Sequence, residues 1–290
     1  MKKRKILPYL FISPFFILYL IFGLYPAISG VAISLQDKAG QFTVSNYQII
    51  LNDSRFWKSI YNASIYMLGS IFIILPIALL AALMLNSPYM GRKSGFVSTV
   101  FFMPNVTSII VIGIVFKLIL RTNNGLLNTI LGTISGGKIE PIKFLTDPFW
   151  AIPSVVLLGC WRFFGVNSLY FLSGLQGIPM ELGEAARIDG ASKWKEFWYI
   201  TLPLLKPIMR FIVFASITGS FSMFGEVMTL VTSSGSAVGS RDSMLYPMIY
   251  LYNTMFTNNK INRAAAMGYV IAIILLIITS IQRWLFREKE

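Results

Sequence analysis

The stretch Ile178-Pro179-Met180-Glu181-Leu182-Gly183-Glu184-Ala185-Ala186-Arg187-Ile188-Asp189-Gly190-Ala191-Ser192 is a polar island between two long apolar runs. Pro179 suits the first turn of a helix, where its missing N–H would have no partner anyway. Glu181 and Glu184 put negative charge near the positive end of that helix. Gly190 supplies a residue able to turn left-handed after it. Residues 180 to 189 therefore read as a short helix that stops abruptly. Leu182 and Ala186 share one of its faces, with Ala185 and Ile188 on the adjoining one. Ser192 is a good N-cap for a second short helix carrying Trp194, Phe197 and Trp198 between Lys193, Lys195 and Glu196. Aromatic rings interleaved with lysines suit a membrane–water interface.

Outward from this island the chain is strongly apolar. Hydrophobic residues make up 55% and charged residues 13%, with a mean hydropathy of +0.67. Several windows exceed the roughly 20 apolar residues needed to cross a bilayer. The expected fold is all-α, a membrane bundle of six spans at about 9–35, 59–85, 96–120, 150–176, 208–231 and 264–286. The loop 177–207 lies between the fourth and fifth spans. No stretch is suited to a large soluble domain, so residues 1–290 read as a single transmembrane domain. Pro76 predicts a kink in span two, and Met103-Pro104-Asn105 an interruption of span three. Residues 36–58 read as an external, partly interfacial loop, and 121–149 as a longer loop rich in Gly, Asn and Thr. The basic start Lys2 to Lys5 precedes an apolar run too long for a signal peptide, which predicts a retained first span.

The net charge of +13 is spread between the spans and not gathered on one face, so it points to topology and not to nucleic acid. With the N-terminus inside, the inner segments hold 14 of the 25 basic residues and the outer segments 9. Both termini and the loop 177–207 are thus expected in the cytoplasm. There is no histidine, and the single Cys160 lies in an apolar run. No metal cluster, intrachain disulfide or cofactor is expected. Gly132-Thr133-Ile134-Ser135-Gly136-Gly137-Lys138 nearly matches a phosphate-binding loop, but Ile139 replaces the magnesium-binding hydroxyl and no strand precedes it. Active transport would then take its energy from a partner or an ion gradient.

Lys117, Arg162 and Glu226 fall inside the expected spans. Lys117 sits near a span end and can reach water. Arg162 is near mid-membrane, and Glu226 lies within reach of it, so a structural ion pair and a polar cavity wall both stand as readings. Span four carries Trp161, Phe163, Phe164, Tyr170 and Phe171, which permit a sugar-stacking surface and equally suit plain packing.

Glu184-Ala185-Ala186, Gly190 four residues on, and Ile200-Thr201-Leu202-Pro203 resemble the EAA loop of binding-protein-dependent ABC importer permeases. The flanks Leu175-Gln176-Gly177-Ile178-Pro179 and Asp189-Gly190-Ala191-Ser192 are similar to the carbohydrate branch, as are Asn46-Tyr47 and Phe56-Trp57. Ser233-Ser234-Gly235-Ser236 departs from the Gly-Gly-Pro turn of that branch. The resemblance implies a non-enzymatic permease subunit in a bacterial cytoplasmic membrane. Its partners would be a second homologous permease, a cytoplasmic ATPase dimer and an external solute-binding protein. It also implies that Glu184, Ala185, Ala186, Asp189 and Gly190 contact the ATPase. Met223, Phe224 and Glu226, with Arg162, would border a path for a sugar, oligosaccharide or polyol moved by alternating access. The rival expectation is an ion-coupled secondary transporter using Arg162 and Glu226. A membrane-embedded enzyme would need clustered polar catalytic residues, and none is evident.

Overall fold

Three wide turns in the helices share one cause. Pro26, Pro76 and Pro203 each follow a five-residue π turn, at Leu20–Leu24, Ser70–Ile74 and Phe197–Thr201. Proline lacks an N–H, and its ring crowds the carbonyl four residues back. Opening the turn by one residue relieves that crowding while the helix continues. At Pro76, where a kink was expected, the irregularity takes the form of a π turn within an unbroken helix.

The computed structural model describes residues 7–91, 93–231 and 239–286. The basic start at 2–5, Arg92, the turn at Ser233–Ser236 and the tail at 287–290 lie outside the described residues. The helices, in order, are α1 (Tyr9–Ser34), α2 (Ser45–Leu51), α3 (Ser54–Leu85), α4 (Lys93–Val106), α5 (Ile109–Leu120) and α6 (Leu126–Ile134). They continue as α7 (Pro148–Gln176), α8 (Met180–Ile188), α9 (Lys193–Glu196), α10 (Lys206–Val231), α11 (Pro247–Tyr252) and α12 (Ile261–Leu285). Among the described residues no β-strand forms, only an isolated bridge between Gln36 and Phe42. The fold is all-α, as expected. α1, α3, α7, α10 and α12 are long and apolar enough to cross a membrane. α4 and α5 pass the same test together but bend by 91°.

Before α7 the chain differs from expectation in three places. Span three is two helices, and its break falls at Thr107 and Ser108, just after Met103-Pro104-Asn105. Span two begins at Ser54, because Asp53 caps it by accepting the Arg55 N–H at 2.9 Å. The loop 121–149 contains α6, which ends in a Schellman turn: Gly137 N–H donates to the Gly132 carbonyl at 2.8 Å. Gly136 and Gly137 take φ of +62° and +79° to close a helix end, which accounts for the glycines of the near phosphate-loop motif.

The chain divides into two units. The first joins residues to Phe56 with Tyr250–Ile274. Here the last carbonyls of α1 are satisfied by two asparagines. Asn46 donates to Ser34 and Gln36 at 3.0 and 2.9 Å, and Asn262 donates to Gln36 at 3.0 Å. The Tyr47 hydroxyl shares a 2.7 Å bond with Ser34. Gly30 leaves room for Tyr269, whose hydroxyl donates to Ala27.

The second unit holds Trp57–Ile249 and the chain from Leu275. Its core packs Leu75, Ala78, Ala82 and Leu85 of α3 against Phe171, Leu172 and Leu175 of α7, with Leu205 and with Ile212 and Ile217 of α10. In lipid there is little hydrophobic drive between helices, so close packing at small residues carries the association. Gly69 meets Val156, and Gly165 brings α7 onto the backbone of Phe101 on α4. Buried Asn62 ties α3 to the Asp242 and Leu245 carbonyls, both at 2.9 Å. Asp147 caps α7 by accepting the Phe149 N–H at 2.8 Å.

Candidate functional site

α10 is interrupted within its apolar length. It is helical over Lys206–Phe221 and again over Gly225–Val231, with Ser222-Met223-Phe224 unwound between. The restarted half packs on α5 through two glycines: Gly113 faces Thr229, and Gly225 faces Ile109. The two broken helices, α4–α5 and α10, thus join beyond their breaks. Beside the breaks lies a cavity of about 250 Å³.

Its walls come from four helices at helical spacing. Tyr66 and Ser70 stand on α3, Asn105 on α4, Phe163, Asn167 and Tyr170 on α7, and Ser216, Ser220, Met223 and Glu226 on α10. Three aromatic rings, two amides, three serine hydroxyls and two phenols line the space, with one carboxylate. Arg162 Nη1 donates to Glu226 Oε1 at 2.5 Å, and both side chains are largely buried. The guanidinium also lies 5.1 Å from the centre of the Phe163 ring. The pair formed as the expense of each lone charge suggested.

Of the residues expected on the path, Met223 and Glu226 line the cavity and Arg162 holds Glu226. Phe224 is half-buried in the unwound segment and outside the lining. Among the span-four aromatics, Phe163 and Tyr170 face the cavity. Trp161 instead packs on Phe116, Phe164 on Phe101, and Phe171 joins the core. Lys117 lies in the last turn of α5, away from the cavity. Tyr66, Ser70, Asn167, Ser216 and Ser220 were not singled out from the sequence. Their signal was a polar stripe at i, i+3, i+4 and i+7 within apolar helices.

Outside the spans, α8 ends as its sequence predicts. Gly190 has φ of +79°, Gly190 N–H donates to Arg187 at 3.1 Å, and Ala191 N–H donates to Ala186 at 2.8 Å. This is a complete Schellman motif. Glu184, Ala185, Asp189 and Gly190 are exposed and Ala186 is half-buried. The apolar Met180 and Ile188 are also turned outward, at 82% and 87% exposure. Ser192 caps α9, and Trp194, Phe197 and Trp198 form one aromatic cluster. The Glu196 carboxylate, by hydrogen bond and by charge, holds Arg187 above its ordinary value.

Membrane-length helices, a cavity with polar groups in its wall beside helix breaks, and an exposed helical loop define a multi-pass transport protein. The model for the binding-protein-dependent transport system inner membrane component matches residues 74–289. The chain belongs to that family. It is 37% identical over 285 residues to the arabinooligosaccharides transport system permease protein AraP of Bacillus subtilis (strain 168), across 96% of this chain and 88% of that one. It is 33% identical over 287 residues to the lactose transport system permease protein LacF of Rhizobium radiobacter, across 97% and 94%. Its fold matches, at a TM-score of 0.84 and 23% identity, a chain in the crystal structure of a bacterial ABC transporter involved in the import of the acidic polysaccharide alginate. The match covers 98% of this chain and 96% of that one. Family membership favours binding-protein-dependent transport over the ion-coupled alternative.

Proposed function

We propose that this chain is the membrane permease subunit of an ATP-driven importer for a sugar, oligosaccharide or related polyol. The cavity carries the reading. Rings for stacking, amides and hydroxyls for hydrogen bonding, and a single carboxylate already engaged by Arg162 form the chemistry that receives an uncharged polyhydroxylated solute. The names of the lactose and arabinooligosaccharide relatives support the same class.

In this reading residues 1–290 act as one permease domain beside a second, homologous permease. α8 seats on a cytoplasmic ATPase dimer through Glu184, Ala185, Ala186, Asp189 and Gly190. Met180 and Ile188, apolar yet exposed, supply contact area. Both termini face the cytoplasm, as the bias of basic residues favours, and an external binding protein delivers solute. ATP binding favours an outward-facing cavity, and hydrolysis resets it. Arg162, Met223, Phe224 and Glu226 border the path.

The test is to isolate the complete transporter with its external binding protein and identify the retained solute by mass spectrometry. A neutral saccharide, taken up by proteoliposomes only with ATP inside, is the expected result. Retention of an amino acid, or uptake under an ion gradient with ATP depleted, would overturn the proposal.

A further inference from the structure

None of the residues of α8 is buried, so packing does not fix its angle. A helix of nine residues is also marginal without tertiary support. Side-chain support comes from α9. Arg187 Nε donates to Glu196 Oε2 and Nη2 to Oε1, both at 3.2 Å, in a two-pronged fork. Glu196 also lies over Gly183, where an added Cβ would meet Oε1 at 2.7 Å. Gly183 and Arg187 are one turn apart on α8, so a single face is clamped to one carboxylate.

Beyond Glu196 the chain continues through the wide turn Phe197–Thr201 and the helical Leu202–Leu204 to Leu205. Leu205 is fully buried in the core with Leu85, Leu175 and Ile212. It leads directly into α10, whose break flanks the cavity. The fork is thus the first link in a short path from α8 to Ser222-Met223-Phe224.

We propose that Arg187 and Glu196 are positioning residues, a strut that fixes α8 to α9 so that displacement of α8 reaches α10 and its break. The proposal rests on the reading of α8 as the ATPase contact. An ion pair whose arginine is open to solvent contributes little to fold stability, so the role of the fork is geometric. Lysine would keep the charge at 187 and lose the parallel pair of bonds.

The experiment uses the complete transporter in nanodiscs with its binding protein. An environment-sensitive dye is placed on Ser222→Cys in a Cys160→Ser background, and its response to ATP with vanadate is read. Arg187→Glu and Glu196→Arg should each reduce the response about tenfold, within the usual range of coupling between sites. The double reversal should return it to within about twofold of the parent, and Arg187→Lys should fall between. Melting midpoints should not move. Parent-like responses in both single reversals, or a double variant no better than either, would overturn the strut. Ala185→Trp, at an exposed position of α8 outside the fork, separates the two ideas. If it silences the dye while Arg187→Glu does not, the strut is wrong and the ATPase contact stands. If neither silences it, the contact reading fails as well.

Discussion

Arg162 on α7 and Glu226 on α10 are 64 positions apart in the chain and meet at 2.5 Å beside the cavity. Glu226 also occupies the first turn of the half-helix that restarts at Gly225, where exposed N–H groups favour negative charge. The break in α10 and the ion pair therefore belong together. The interruption provides a helix start for the carboxylate, and the arginine supplies its counter-charge.

Neutralising one partner should cost more than neutralising both. A buried charge left alone costs ~3–5 kcal/mol, while removing the pair is often close to neutral. Arg162→Met and Glu226→Gln should each lower the melting midpoint in detergent, and the combined variant should recover most of the loss. Additive losses would mean that the two groups are stabilised separately.

Gly113 and Thr229 mark a close approach between α5 and the second half of α10. Gly113→Val places a branched side chain into Thr229, an overpacking that costs ~1–3 kcal/mol or more. Thr229→Gly in the same chain should restore part of it. Gly132 on α6 has nothing within 4 Å of the point a Cβ would occupy, so Gly132→Ala should leave stability unchanged or slightly raised. Detergent melting curves of the parent and these three variants decide this.

The long spans were legible because some 20 apolar residues in a row admit few other solutions. The end of α8 was legible because Gly190 is the one residue type that takes its φ without strain. The ion pair was legible because each charge is costly alone. The interruption of span three was legible in Met103-Pro104-Asn105, although the break itself falls just after it at Thr107-Ser108. The break at Ser222-Met223-Phe224 was not, because it contains no proline, and Gly113 on Thr229 and Gly225 on Ile109 are long-range contacts that no local propensity records. Pro76 marked an irregularity in α3, which takes the form of a π turn just before it. The cavity stayed hidden because Tyr66, Asn167 and Ser216 become neighbours only once four helices assemble.

Tyr250 on α11 donates to Asp53 Oδ2 at 2.5 Å. Burial first, and then this bond and the carboxylate charge, push its phenol from near 10 up to about 12, with Arg55 and Arg263 pulling the other way. The folded state therefore holds this proton longer than the unfolded one. Its contribution is complete below pH 10 and fades as pH rises from about 10 to about 12. Tyr250→Phe should flatten the fall of the melting midpoint across that window. An unchanged slope would show that the phenol does not titrate late.

Sidedness can be read with thiols. In a Cys160→Ser background, cysteine at exposed Ser192 should react with a membrane-impermeant maleimide only in inverted vesicles. Cysteine at exposed Asn123, in the segment between α5 and α6, should react in intact cells. The opposite pattern would invert the topology and remove α8 from the cytoplasm.

Gly190 offers the sharpest test of the α8 contact, because space and backbone strain separate there. A Cβ at Gly190 has nothing within 4 Å, so bulk alone does no harm. Its φ of +79° is the difficulty, since a left-handed residue other than glycine costs ~1–2 kcal/mol. Asparagine tolerates this region, alanine less so, and a β-branched valine least. That strain is too small to unfold the bundle and large enough to unwind the last turn of a nine-residue helix with no buried residue. ATP-driven uptake of the saccharide identified on the binding protein should fall in the order Gly190, Asn, Ala, Val, with the amount of assembled complex unchanged. Equal uptake in all four would show that the Schellman turn is dispensable to coupling. A loss that tracked side-chain volume instead, with Asn below Ala, would point to a steric contact at Gly190 itself and away from the backbone turn.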